Sequence, residues 1–266
     1  MGTQPLHGAQ SWIADHVPPE LVWDEDYFAW TARTDDPFLR ISELHDGPDM
    51  LWARSIDLIQ PGWLPTRQAL IREILTDTEH FSSAQSNMLG VIGVDWRLIP
   101  IEFDPPQQQM YRRVLEPFFT PASVDALDGM VRKARDELIE AFPLANGCEF
   151  CGEFAERFPS HVFLDLMGMP RERLGDFLKW ERDMLRPHSF DEQKEAMLAI
   201  LHYMQDFLST QREAPSSPLM EAIVNARYNN ERPLTDDEMT SVCYLLYIGG
   251  LDTVYCTLGW IMRHLA

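Results

Sequence analysis

The run Tyr244-Leu245-Leu246-Tyr247-Ile248-Gly249-Gly250-Leu251-Asp252-Thr253 is apolar nearly all round until it meets two glycines, an acid and a hydroxyl. Such a run reads as a buried helix. Each glycine inside it costs about 1 kcal/mol relative to alanine, so the pair needs a reason; close helix packing is one. Asp252 adds another, because a carboxylate in a buried helix is expensive unless it is paired or has a task. Thr253 stands four residues after Gly249, so its hydroxyl can bond that carbonyl and open the helix locally. The opened turn would leave room for a small ligand, with a hydroxyl and a proton source beside it.

Outward from this helix the pattern stays helical. Thr235 and Glu238 form a capping box at its start, and the periodicity runs on to Ala266. Helices are predicted over roughly 155–167, 171–185, 191–210 and 217–227, with Gly168-Met169-Pro170, Asn229-Asn230 and Arg232-Pro233 as punctuation. Asp104-Pro105-Pro106 suggests a capped helix reaching about Phe119. Thr120-Pro121 suggests another, reaching about Phe142, and Asn146-Gly147 a turn. Residues 81–101 lose their period and read as a loop. Residues 1–30 read as an irregular arm. Leu51–Arg54 and Asp57–Gln60 read as two short strands, the second closed by Pro61-Gly62, and Thr66 as the cap of a helix through Leu75. The fold class is mainly α with a small β element.

Bulk properties narrow the function. The 266 residues can bury one large core or two modest ones. A net charge of -20 argues against nucleic acid or anionic membrane as partner, since both need basic surface. No signal-peptide pattern and no stretch approaching a membrane span is read, so a cytoplasmic setting with free thiols is expected. Cys148-x-x-Cys151 lacks the second pair a zinc site needs and the strand–helix context of a redox motif, so structural thiols are the default. No metal-ligand spacing is read among the histidines, and Ser160-His161 reads as a helix-surface pair rather than a nucleophile and base.

Gly249–Thr253 resembles the oxygen-activating helix of the cytochrome P450 family, whose pattern is Ala/Gly-Gly-x-Asp/Glu-Thr. A second stretch, Asp104-Pro105-Pro106-Gln107-Gln108-Gln109-Met110-Tyr111-Arg112-Arg113, resembles the family helix that grips the haem propionates. Gln108 holds the usual histidine position and Arg112 the arginine position. Gln108 can donate without charge, leaving Arg112 most of the attraction. His16-Val17-Pro18, Glu79-His80-Phe81-Ser82-Ser83, Gly168-Met169-Pro170 and Met184-Leu185-Arg186-Pro187 fall in the order of a soluble bacterial member, most similar to the camphor-hydroxylating group.

The resemblance implies a P450 fold, cut within or just after its long central helix. Residues 1–266 would be the amino-terminal part of one domain: an arm and strand element over 1–65, and a helical part over 66–266. The latter would hold the propionate helix at about 104–119 and the oxygen-activating helix at about 236–266. It implies haem b as cofactor, bordered by Gln108, Arg112, Gly249 and Gly250. Thr253 would steady dioxygen and Asp252 deliver protons. Met88, Trp96, Leu185, Leu245 and Ile248 would line the substrate pocket, with Asn87 in the adjoining loop. Trp96 stands where the camphor-type pocket has a tyrosine, which favours another small apolar substrate, terpenoid-like or aromatic. Electrons would come from a ferredoxin meeting Arg112, Arg113 and Arg132. The family's cysteine ligand and its Glu-x-x-Arg pair have no counterpart in these residues, so the alternative is a non-catalytic fragment acting at most as a helical interaction module.

Overall fold

The computed structural model describes residues 12–56, 61–84, 86–142 and 147–266. The expected strand Asp57–Gln60 and Asn146 of the expected turn lie outside them. The chain divides into two compact units, Met1–Phe81 and Ser82–Ala266.

In the first unit, β1 (Val22–Asp26) leads directly into α1 (Tyr27–Thr31), which Asp26 caps by accepting from the Ala29 amide at 2.7 Å. Both elements fall in the stretch read as an irregular arm. The acidic run Val22–Asp26 has no apolar alternation of its own and becomes a strand by pairing. After α2 (Pro37–Ser42), β2 (Met50–Ser55) buries Leu51, Ala53 and Ser55 at alternate positions, as a half-buried strand should. It pairs in parallel with β1 and antiparallel with β3 (Gly62–Pro65). Gly62 therefore opens a strand instead of merely closing one. Trp52 and Trp63 meet edge to face across the antiparallel pair at 5.2 Å. Thr66 does not cap α3 (Gln68–Thr76): its hydroxyl donates to the Pro48 carbonyl at 2.6 Å, and Arg67 takes the cap position.

The second unit holds the large core. α4 (Gln107–Leu115) starts three residues later than expected, because Asp104 accepts from Ser82 and Ser83 instead of capping it. A 3-10 turn, Glu116–Phe118, ends it. Thr120 caps as expected, but the segment splits into α5 (Pro121–Asp125) and α6 (Asp128–Glu140). A π-helical turn, Cys151–Ala155, feeds α7 (Arg157–Met167), which Gly168 closes in a left-handed conformation at φ 69°. A side chain there would also strike the Ser216 carbonyl, 2.5 Å from the added carbon.

α8 (Leu174–Leu185) and α9 (Phe190–Gln211) pack against each other, followed by α10 (Pro218–Asn225) and a two-stranded hairpin of β4 (Arg227–Tyr228) and β5 (Arg232–Pro233). Asn229 and Asn230 make its turn, both at positive φ. The capping box then starts α11 (Asp236–Gly250) as read, and the chain continues into α12 (Asp252–Leu265). Phe163, Leu164, Met167, Phe177, Ile200, Met204, Tyr244 and Tyr247 form the centre of the core. The two buried tyrosines satisfy their hydroxyls on backbone carbonyls, Tyr244 on Met197 at 3.2 Å and Tyr247 on Phe177 at 3.0 Å.

Taken together, Asp236–Leu265 is long and apolar enough to cross a membrane by length and composition alone. That differs from the sequence reading, because between its charged ends only Asp252 interrupts a weakly apolar middle. α11 buries residues Met239–Tyr244 against the core, whereas α12 has no buried residue and exposes Trp260, Ile261 and Leu265.

Candidate functional site

The helix bends where the glycines and the acid–hydroxyl pair predict. α11 ends at Gly250, α12 begins at Asp252, and Leu251 between them has φ −104° and ψ −74°. Thr253 donates its hydroxyl to the Gly249 carbonyl at 2.7 Å. That bond competes with the regular ladder and marks the break. Asp252 is ion-paired with Arg186 at 2.5 Å, and the Cys256 thiol lies 3.6 Å from the same carboxylate oxygen. The expected cost of an inward acid is therefore offset by a cation from α8's end. Burial alone would lower the Arg186 pKa, but the bond to Asp252 outweighs it and raises it.

Beside the bend lies an apolar cleft of about 260 Å³. Its walls are Leu245, Leu246, Gly249 and Gly250 of α11, and Pro159, Val162, Phe163, Leu166 and Met167 of α7. Leu115 and Phe119 close it from α4's end. The α7 contributors recur at helical spacing, a signal that marks one face without saying what it faces. A carbon added to Gly249 would meet open space, and one on Gly250 would sit 3.6 Å from Phe163 in ordinary contact. Tight packing does not explain Gly249; it leaves that side of the helix bare toward the cleft.

Gln108, Arg112 and Leu115 recur at four- and three-residue steps, which places them on one face of α4. Leu115 reaches the cleft, while Arg112 is exposed and has no ion-pair partner among the described residues. Arg113 is likewise exposed and unpaired, whereas Arg132 is paired with Asp128 at 2.6 Å. The Arg132 charge is thus largely spent within α6.

α4 is fixed to α11 through Tyr111, whose hydroxyl donates to Glu238 at 2.6 Å. Arg232 bonds both oxygens of the same carboxylate, and Thr235 donates its amide to it. Desolvation opposes ionisation of Glu238, but these donors win and hold its pKa down to about 2.

The loop before α4 has its own anchors. Glu102 is 1% exposed and accepts from the Met88 amide at 2.6 Å, the Leu98 amide at 2.7 Å and the Ser86 hydroxyl at 3.0 Å. Ser241 of α11 accepts from the Ile99 amide at 2.6 Å and donates to the Arg97 carbonyl at 2.8 Å. Sequence reading missed both residues, since neither belongs to a motif.

Of the expected substrate-pocket residues, only Leu245 lines this cleft. Trp96 and Ile248 pack partly buried against the core, and Met88 and Leu185 are exposed. Ser160 is buried, not on the surface as expected, and donates to the Glu156 carbonyl at 3.1 Å; no nucleophile–base pair forms with His161. All four cysteines are free thiols, and none lines the cleft. Burial pushes the Cys243 thiol up to about 12, which keeps it protonated.

Bare apolar walls, the open side of Gly249 and the unpaired Arg112 fit the edge and carboxylates of a haem, though these residues offer it no thiolate.

No family model matches the chain. A probable cytochrome P450 127A1 of Sinorhizobium fredii is 30% identical over 261 residues, 96% of this chain and 63% of that protein. A vitamin D(3) 25-hydroxylase of Pseudonocardia autotrophica is 24% identical over 242 residues, 89% of this chain and 57% of that protein. Among solved structures, the cytochrome P450 CYP101C1 superposes with a TM-score of 0.79 at 28% identity, and CYP101J2 with 0.77 at 26%. Each superposition covers 96% of this chain and 63% of the other. The chain spans less than two thirds of the length of these relatives. It belongs to the cytochrome P450 family, whose cofactor is haem b, with a fold of the camphor-hydroxylating type.

Proposed function

We propose that this chain provides the oxygen-activating and propionate-binding parts of a haem-thiolate monooxygenase, its two compact units being parts of one P450 domain. The observation that carries the reading is the Thr253–Gly249 bond, which opens the helix beside the apolar cleft. Haem, when bound, supplies the chemistry that inserts one atom of dioxygen into an unactivated C–H bond. Arg112 and Gln108 hold its propionates, and Gly249 and Gly250 let it lie close to the helix. Thr253 offers a hydroxyl at the opening, and Asp252 is the acid that delivers protons there.

The substrate is small and apolar, terpenoid-like or aromatic, and Met88, Trp96, Leu185, Leu245 and Ile248 surround it. Arg113, exposed beside Arg112 and without an ion-pair partner among the described residues, offers positive charge that an acidic ferredoxin would meet on an otherwise acidic protein. The reaction takes place in the cytoplasm.

A second reading has one observation in its favour: no cysteine borders the cleft, and Cys243 is held protonated. By themselves these 266 residues then form a non-catalytic helical module. The reduced carbon monoxide spectrum separates the two. The chain alone, supplied with haem, should give no thiolate-type Soret shift. A polypeptide of its relatives' full length built on these residues should give one, and should consume dioxygen with reduced ferredoxin and an apolar substrate. A full-length polypeptide that binds haem without the thiolate signature would overturn the monooxygenase reading.

A further inference from the structure

α4 has nine residues, and so short a helix keeps its place by packing more than by its own propensity. Of those nine, Tyr111 alone is buried, at 7% exposure. Three contacts meet on it. Its hydroxyl donates to Glu238 Oε1 at 2.6 Å, and its ring packs against Phe103 at 5.1 Å and Tyr228 at 4.8 Å. The contacts close on themselves, because Arg232 bonds both oxygens of Glu238 and lies over the Tyr228 ring at 4.9 Å. Burial first, and then the bond to Glu238, push the phenol well above its ordinary range, so Tyr111 stays the donor.

Arg112, the next residue along, is the opposite case. It is exposed and makes no ion pair or side-chain hydrogen bond among the described residues. No neighbour holds its guanidinium, so its reach is set by where the α4 backbone stands. Bidentate binding of a carboxylate by a guanidinium has strict geometry, and looseness in the helix beneath it lowers affinity. The residue that removes that looseness is Tyr111, one position away.

We propose that Tyr111 is a positioning residue for haem binding: by tying α4 to Glu238 it fixes the reach of Arg112 toward the propionate carboxylates. The use made of that reach rests on the monooxygenase reading, whereas the tie is a property of the folded chain. A phenylalanine would fill the same space between Phe103 and Tyr228 but could not donate to Glu238. The hydroxyl, not the ring, therefore carries the role.

The test titrates two probes into the 266-residue chain and follows the Soret band. One is haem b; the other is haem dimethyl ester, whose propionates are capped and uncharged. Tyr111→Phe should bind haem b roughly two- to tenfold more weakly than the unaltered chain, and the ester equally well. In an Arg112→Ala background, Tyr111→Phe should cause no further loss. The haem-free chain supplies a second readout: amide hydrogen exchange should quicken along Gln107–Leu115 in Tyr111→Phe and not in Arg112→Ala. An equal loss with the ester, a loss that persists without Arg112, or unchanged exchange along α4 overturns the proposal. A chain that takes up no haem b, or an Arg112→Ala chain that binds it as tightly as the unaltered one, overturns the propionate reading and the proposal with it. Exchange along α4 then tells that failure apart from a failure of the tie.

Discussion

Tyr111 and Glu238 are joined by a 2.6 Å hydrogen bond across 127 residues of sequence, so the helix carrying Arg112 is tied to the first turn of α11, the helix that ends in Gly249 and Gly250. One carboxylate therefore caps α11 and locates α4 at once.

The electrostatics of that bond predict an acid-sensitive fold. Glu238 has its pKa depressed from 4.5 to about 2, so its contribution is complete above the unfolded value and fades as the pH falls from about 4.5 toward 2. Glu238→Gln should destabilise the chain at neutral pH and make little difference near pH 2. Tyr111→Phe should cost about 1.5–3 kcal/mol, the usual range for a bond to a charged acceptor. Urea unfolding across the acid range checks both, and a Glu238→Gln penalty independent of pH would contradict the assignment.

How much of this was legible from the residues themselves differs by element. The capping box, the bend at Leu251 and the Thr253–Gly249 bond follow from local spacing, and each stands where the sequence places it. β1 and β3 were not legible, because Val22–Asp26 and Gly62–Pro65 take their form from pairing with β2. The partners of Asp104 and Thr66 were misread for a related reason: a cap residue that finds a distant donor or acceptor abandons its local role. Arg186 reaches Asp252 across 66 residues, and no periodicity reports that distance.

Arg112 should matter to haem and little to folding. It is exposed and makes no ion pair among the described residues, so Arg112→Ala is expected to leave the melting temperature within the narrow range of ordinary surface substitutions. Haem affinity, followed by the Soret band during titration of the chain, should fall roughly tenfold or more for loss of one charge-assisted bond. Unchanged affinity would remove Arg112 from the propionate site.

Gly249 offers a complementary test. Its side toward the cleft is open, so Gly249→Val should be tolerated by the neighbouring side chains while filling the space beside the bend. Haem titration should weaken markedly. Binding as tight as that of the unaltered chain would mean the group does not lie against this helix.

Glu102 should govern the loop ahead of α4. Glu102→Ala leaves the Met88 and Leu98 amides without their acceptor, at a cost of about 1–3 kcal/mol for each one that stays buried. Hydrogen exchange should quicken at those two amides and along residues 86–98, with α9 unaffected. Protection maintained through the loop would show that Ser241 alone suffices to hold it.

Ser241 grips that loop from the other side, accepting from Ile99 and donating to Arg97. With both ends of its hydroxyl engaged, it sets the angular position of α11 about its own axis, as a key indexes a shaft. Each helical residue turns the axis by about 100°. One residue inserted between Ser241 and Gly249 would leave the anchor in place and rotate the bare glycine face away from the cleft. The length of that eight-residue interval, more than the identity of most side chains within it, is what keeps the opening aimed.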